Sequence, residues 1–203
     1  MNPDVEIQRL KELMPASGRM YCQIVSKPQQ TKVIDMEFPL PWKRKARPIY
    51  LNFDLWQQLK RQERDLLLLR SVVWLTGVQW FKPDVYQGLA AIGLVGTIAE
   101  FSQGDLTGVV VAGGLSAIAL RHLWRGYRGT KREIDVDEEA IQVATRRGYS
   151  ETEAAQHLLM GIEGTVKLEG RSSLTFNELI RTQNLRGIAN LSSVRVPQGL
   201  REE

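Results

Sequence analysis

Cysteine occurs once in these 203 residues, at Cys22, and histidine twice, at His122 and His157. A lone thiol excludes an internal disulfide framework and any multi-thiolate metal site, a usage that fits a reducing compartment. Cys22 sits in a strand-like apolar run and reads as a packing residue. The two histidines are not spaced as one helical turn, so they cannot supply the ligand set of a catalytic zinc, and no metal and no cofactor is expected. Each reads as a packing or interface residue. No GxSxG, dinucleotide fingerprint or calcium loop is present, and Gly126-Tyr-Arg-Gly129-Thr-Lys131 lacks the spacing of a phosphate loop and reads as a polar linker. No zinc-finger, RNA-recognition or helix-turn-helix signature accompanies the basic residues, which argues against nucleic acid as a partner. The first residues, Met1 to Glu6, have no apolar core and do not read as a signal peptide.

Charge is absent from two longer stretches, residues 85–99 and 106–120, each fifteen residues without an acid or a base. As helices they reach only about 22 Å, short of the roughly 30 Å of a hydrocarbon core. Gly88, Gly93, Gly96, Gly113 and Gly114 are costly in a soluble helix but suit close helix packing in lipid. Lys82 precedes the pair and Arg121, Arg125 and Arg128 follow it, while the link carries only Glu100 and Asp105. By the positive-inside rule this places both ends on the cytoplasmic side. Trp80 and Trp124 bracket the pair as interfacial anchors do. Two readings stand open: a membrane-inserted, transmembrane or shallow hairpin, and a hairpin buried in protein.

What is present otherwise is a globular composition, 43% hydrophobic and 25% charged, with a formal charge of +4. The positive charge gathers after the hairpin and in Lys43, Arg44, Lys45 and Arg47, a patch suited to an anionic membrane surface. Residues 3–14 have helical spacing. Residues 20–25 and 31–36 read as an antiparallel β-hairpin, and residues 49–53 as a third strand. Asp54 is a candidate N-cap, and an almost uniformly apolar helix is expected over 64–76. An acidic first turn starts a helix at Asp135. Ser150-Glu-Thr-Glu153 and Thr175-Phe-Asn-Glu178 are capping boxes that open two more. One domain is expected over 1–190, with the hairpin included and a tail over 191–203.

The order of strands, Glu63, apolar helix, hydrophobic hairpin, acidic helix start and Arg146-Arg-Gly-Tyr-Ser150 resembles the catalytic domain of HtpX-type membrane zinc metallopeptidases. In that family an acidic residue opens the catalytic helix, and HExxH follows seven positions on, with two zinc-binding histidines and a glutamate base. Counting seven from Glu63 reaches Arg70, so this chain reads Arg70-Ser71-Val72-Val73-Trp74 where the family has its ligands and base. The family's third ligand precedes a Gly-Tyr pair at a fixed distance. Counting back from Gly148 puts Asp135 at that ligand position and Asp137 on the family's aspartate. The resemblance thus implies an α+β, mainly helical zincin-like domain with a small N-terminal sheet of about three strands, and no catalysis. Arg70, Ser71, Trp74 and Asp135 would be vestigial positions, and an Arg70–Asp135 ion pair would stand in for the metal.

Met14-Pro-Ala-Ser-Gly-Arg19, Phe38-Pro-Leu-Pro-Trp42, Trp80-Phe-Lys-Pro83 and Leu179-Ile-Arg-Thr-Gln-Asn-Leu185 are further similar to a family of uncharacterised conserved cyanobacterial proteins. That resemblance implies a photosynthetic host and a thylakoid or plasma membrane. The leading expectation is a non-catalytic, membrane-associated scaffold or assembly and quality-control factor, with a protein partner that the residues do not identify. Two alternatives stay open. One is a small enzyme using Arg70, Ser71 and Asp135 in a metal-free cleft. The other is a peripheral module that binds anionic membranes through residues 43–47.

Overall fold

The computed structural model describes residues 2–39, 46–77 and 85–192, which form nine helices and three strands. The chain divides into two compact units, one made of Met1–Val78 with Glu133–Glu203 and the other of Gln79–Arg132.

The first unit is built around α4 (Arg61–Thr76). Leu66, Leu68 and Leu69 are fully buried and Leu67 nearly so. Four consecutive leucines put apolar surface on every side of this turn, so it must be enclosed. Helices α1 (Pro3–Leu13), α2 (Ala16–Tyr21) and α8 (Glu151–Leu168) pack against it. Each of those leucines contributes roughly 1.5–3 kcal/mol by leaving water. Helix α4 starts three residues before the expected Arg64, because the Glu63 carboxylate turns back to accept the Lys60 N–H at 3.1 Å. The short helix α2 falls where the sequence reading has only a helix stop followed by a strand. It passes so close to α4 that a Cβ on Gly18 would lie 2.5 Å from Cγ1 of Val72.

The sheet differs from the expected hairpin. Strands β1 (Cys22–Ser26) and β2 (Ile34–Met36) do not pair with each other; β3 (Arg47–Leu51) lies between them, parallel to β1 and antiparallel to β2. The physical reason is burial. Ile49 and Leu51 are fully buried, and the strand that carries them takes the central position. Pro48 is tolerated in a central strand because the β2 pairing stops at Ile49, which leaves the proline without a ladder partner on that side. Leu51 is the last residue of β3, and Phe53 already opens α3 (Phe53–Trp56). Its cap is Asn52 rather than the expected Asp54: the Asn52 Oδ1 accepts from Asp54 N–H at 3.0 Å. The Asn52 amide also donates to the carbonyls of Pro28 and Gln30, which ties the β1–β2 link to the start of α3.

Both expected capping boxes form. Ser150 and Glu153 open α8, and Thr175 and Glu178 open α9 (Phe176–Ile188). Helix α8 runs on to Leu168, beyond the polar link expected from residue 164. Helix α7 (Thr130–Thr145) begins five residues before the expected start at Asp135, and this shift alters the site described below.

The second unit is the helical pair α5 (Val85–Gln103) and α6 (Leu106–Arg128). Gly104 takes a positive φ of 77° at the turn, and Asp105 caps α6 by accepting from the N–H groups of Thr107 and Gly108. Among the described residues no helix is long and apolar enough to cross a membrane, which corrects the expectation of a transmembrane helix. Small and polar residues, Gly88, Gly93, Gly96 and Thr97 in α5 and Gly108, Gly113, Gly114 and Ser116 in α6, interrupt the apolar runs. The apolar side chains that remain point outward. Ile92 and Val110 are each 72% exposed, and Val95, Ile98, Leu115 and Ile118 are similarly open.

Candidate functional site

Arg70 lies on the face of α4 that also carries Leu67, Ser71 and Trp74, residues one helical turn apart. On α7, Glu133 and Asp137 are likewise one turn apart. The Arg70 Nη2 donates to Oε2 of Glu133, and its Nε donates to Oδ1 of Asp137 at 3.3 Å. Trp74 Nε1 donates to the other Glu133 oxygen at 3.1 Å. From α9, Arg181 closes on Asp137 with two bonds, Nε to Oδ2 at 2.7 Å and Nη2 to Oδ1 at 2.9 Å. Asp137 is 1% exposed, so it is a buried carboxylate shared by two buried guanidinium groups. Burial and the nearby Arg181 charge push Arg70 below its ordinary pKa, against the pull of Asp137 and Glu133. Burial acts on Arg181 in the same sense, but the two-bonded Asp137 outweighs it and raises that guanidinium.

The expected Arg70–Asp135 pair is not what joins the helices. Asp135 is exposed, and Glu133 and Asp137 take the guanidinium instead. Because α7 is already helical at Thr130, residue 135 stands two positions from 133 and from 137 and projects from the opposite side. Arg181 was not singled out from the sequence, yet a signal was there. Arg181 falls on the buried stripe of α9 with Ile180, Asn184 and Leu185, just as Asp137 falls on the stripe of α7 with Ile134, Ala140 and Ile141. A charge on a buried stripe calls for a partner on another stripe.

Arg70, Ser71 and Arg181 line a cleft of about 530 Å³ whose other walls come from β2, α8 and the start of α9. Ile34, Met36, Leu67 and Ile162 make its apolar side. On the rim, Arg171 donates to both oxygens of Glu178 at 2.8 Å and to Glu169 at 2.9 Å. Burial alone would raise the Glu178 carboxyl, but Arg171 and the N–H and hydroxyl of Thr175 hold it down to about 2. The second oxygen of Glu169 accepts the Val33 N–H at 3.0 Å.

Ser71 is 1% exposed and its hydroxyl donates to the Leu67 carbonyl at 2.8 Å, a bond within its own helix. With Asp135 on the far side of α7, the three residues named for a remodelled enzyme do not converge. Among the described residues no group of three histidines, cysteines or acids could hold a metal ion. Ser71→Ala is expected to change the unfolding free energy by no more than about 1 kcal/mol. Asp135→Ala should stay within about 0.5 kcal/mol, as a surface change does. Denaturant midpoints of the two variants against the parent chain check both.

The basic patch also resolves in part. Arg47 is not free to face a membrane: its guanidinium donates to the Leu75 carbonyl at the end of α4 and lies over the Tyr21 ring. The orphan carbonyls of a helix end are strong acceptors for a cation. Arg121 is exposed. Lys43, Arg44 and Lys45 lie outside the described residues, as do Trp80, Lys82 and the tail from 193, and the side chains of Arg125, Arg128, His122 and Trp124. His157 is half-buried, edge-on to the Tyr149 ring with centroids 6.3 Å apart. Burial pushes the Cys22 thiol up to about 11, with Arg47 pulling the other way, so the thiolate is scarce at neutral pH.

A second buried network holds α1 to α4. Arg9 bridges Glu6 and Asp65, Arg64 donates to Glu6 at 2.8 Å, and Trp56 Nε1 donates to Glu6 at 3.3 Å. Tyr149 donates to the remaining Asp65 oxygen at 2.9 Å. Burial together with Asp65 pushes the Tyr149 phenol up to about 12. Both oxygens of Glu6 and both of Asp65 accept from donors within the fold, which marks the network as a clamp.

These parts define a mainly helical α+β protein with a three-stranded sheet, an arginine–carboxylate centre and an outward-facing apolar hairpin. The chain belongs to the family described as protein of unknown function DUF3318, which it matches over residues 8–149. It is also similar to the thylakoid membrane protein slr1949 of Synechocystis sp. (strain ATCC 27184 / PCC 6803 / Kazusa). The two are 28% identical over 148 residues, 71% of this chain and 69% of that protein. No solved structure matches the chain.

Proposed function

We propose that this chain is a non-catalytic, membrane-associated protein of a photosynthetic bacterium, a scaffold or assembly and quality-control factor held at the thylakoid or plasma membrane by the α5–α6 hairpin. The observation that carries the reading is the outward apolar surface of the hairpin, with Ile92, Val95 and Ile98 on one helix and Val110, Val111 and Ile118 on the other. Taking six such side chains out of water is worth on the order of 10 kcal/mol. The similarity to a thylakoid membrane protein supports the same reading. A hairpin with apolar stretches of about 22 Å enters the bilayer without a full crossing, and its basic end, with Arg121, Arg125 and Arg128, stays on the cytoplasmic side.

The metallopeptidase-like part of the proposal concerns shape only. On the metallopeptidase resemblance Arg70 would stand at a ligand position, and its guanidinium, bonded to Glu133 and Asp137, would tie α4 to α7 in place of a metal. Flotation with phosphatidylglycerol-containing vesicles tests the membrane role. The parent chain is expected to float and to resist a high-salt wash. Ile98→Lys combined with Val110→Lys should reduce the floated fraction by about tenfold or more, given the cost of roughly 2.5–3.5 kcal/mol for each lysine deep in lipid. A double variant that floats like the parent would remove the hairpin from the account, and a parent chain stripped by salt would replace insertion by peripheral binding.

A further inference from the structure

We propose that the cleft between β2, α4, α8 and α9 is a binding site for an amphiphilic anion, a carboxylate or phosphate head on an unbranched apolar stem. The inference is independent of the hairpin and of the membrane reading. A volume of about 530 Å³ falls within the range of small-molecule sites.

The head group is argued from the arginines. Arg70 uses Nε and Nη2 on Asp137 and Glu133, and Arg181 uses the same two nitrogens on Asp137. On each guanidinium Nη1 has no acceptor among the described residues. The Arg70 and Arg181 side chains keep 11% and 9% of their surface exposed. Both arginines line the cleft. Two planar donors, each fixed from behind by a carboxylate, are already oriented for an oxyanion and lose little freedom in taking one. Burial first, and the Arg181 charge after it, push Arg70 down, and an anion between the two guanidinium groups offsets the mutual repulsion.

The rest of the lining suits an apolar stem. Ile34 and Met36 on β2, Leu67 on α4 and Ile162 on α8 present only aliphatic and thioether surface to the cleft. The two carboxylates on the rim do not compete for a cationic ligand. Glu178 is bonded to Arg171 and Thr175, and Glu169 to Arg171 and the Val33 N–H. The hydroxyls of Ser71 and Thr165 are turned onto their own helices. What the cleft offers a ligand is therefore cationic donors at one place and apolar surface at another.

The test uses the full chain with laurate, dodecyl phosphate and dodecanol, all below their aggregation limits. Trp74 fluorescence and thermal unfolding are the readouts, because Trp74 is bonded to Glu133 beside the proposed head site. One laurate is expected to bind saturably and to raise the Tm, and dodecyl phosphate is expected to displace it. The tighter of the two acids identifies the head-group class. Dodecanol, which keeps the stem and lacks the charge, should bind about tenfold or more weakly. Met36→Trp places an indole where the stem lies and leaves both arginines untouched; it should lower laurate affinity by about tenfold or more. Ile34→Trp serves the same purpose should Met36→Trp fail to fold. Equal binding of dodecanol and laurate, or no displacement by dodecyl phosphate, would overturn the proposal. So would full laurate affinity in a folded tryptophan variant, which would put the acid on the hairpin instead.

Discussion

Asp137→Ala is expected to cost about 3–5 kcal/mol of stability, because it leaves two buried guanidinium groups facing each other with one carboxylate between them and solvent. Asp137 is the acceptor for both Arg181 bonds and for Arg70 Nε, and it is 1% exposed. Glu133 is bonded to Arg70 and Trp74, not to Arg181, so it does not supply the acceptor that Arg181 loses. Asp137→Asn keeps the shape and one acceptor but not the charge, so it should fall between the parent and the alanine variant. The origin of the loss is tested by adding Arg181→Met to Asp137→Ala. If the cost is an uncompensated buried charge, removing that charge recovers part of it, and the two changes are non-additive by about 1–3 kcal/mol. Urea midpoints followed by tryptophan fluorescence give the four values of the cycle. A single-variant cost below about 1 kcal/mol, or strict additivity, would show that Asp137 is not the keystone of this cluster.

The parts of the fold that were legible in the sequence are those that short-range chemistry determines. Ser150 with Glu153 and Thr175 with Glu178 opened helices because each capping box satisfies its own backbone donors locally. The leucine-rich α4 and the uncharged stretches 85–99 and 106–120 are legible because their composition leaves few other structures. The strand order was not legible. The link of ordinary length between β1 and β2 suggests a hairpin, and only the burial of Ile49 and Leu51 in the assembled core explains why β3 comes between them. The start of α7 was misplaced because the acidic turn at Asp135 imitates a first turn, whereas Thr130-Lys-Arg-Glu133 is already helical.

The start of α7 at Thr130 also decides the partner of Arg70. The count back from Gly148 marks both Asp135 and Asp137, and the metallopeptidase resemblance implies the first as the partner of Arg70. Helical geometry favours the second together with Glu133, because positions four apart share a face and positions two apart do not. Arg181 comes from α9, outside the span of residues 8–149 that the family match covers, so neither the counted motifs nor the family span points to it. Its place on a buried stripe was the available clue. The same lesson applies to Arg47. A basic residue in a basic run reads as a surface charge, and its bond to the Leu75 carbonyl depends on a helix end that only the fold brings near.

Within the hairpin, two glycines should respond to substitution with opposite signs. At Gly93 a Cβ would meet the Ser116 Oγ at 2.2 Å and the Ala112 carbonyl oxygen at 3.1 Å, so α5 and α6 touch there through backbone and a short side chain. Ser116 cannot simply swing away without giving up its own bond to the Ala112 carbonyl at 2.9 Å. Gly93→Val, with a branched side chain at this contact, is expected to cost about 1–3 kcal/mol by overpacking. At Gly114 nothing lies within 4 Å of the added carbon, so Gly114→Ala should stabilise the helix by about 1 kcal/mol through propensity alone. Ser116→Gly added to Gly93→Val should recover part of the loss, because it removes the nearest atom and leaves only the carbonyl contact. Thermal unfolding in detergent micelles, with limited proteolysis of the hairpin as a second readout, distinguishes the three. If Gly93→Val and Gly114→Ala moved stability in the same direction, the close α5–α6 contact at residue 93 would not be what holds the hairpin shut.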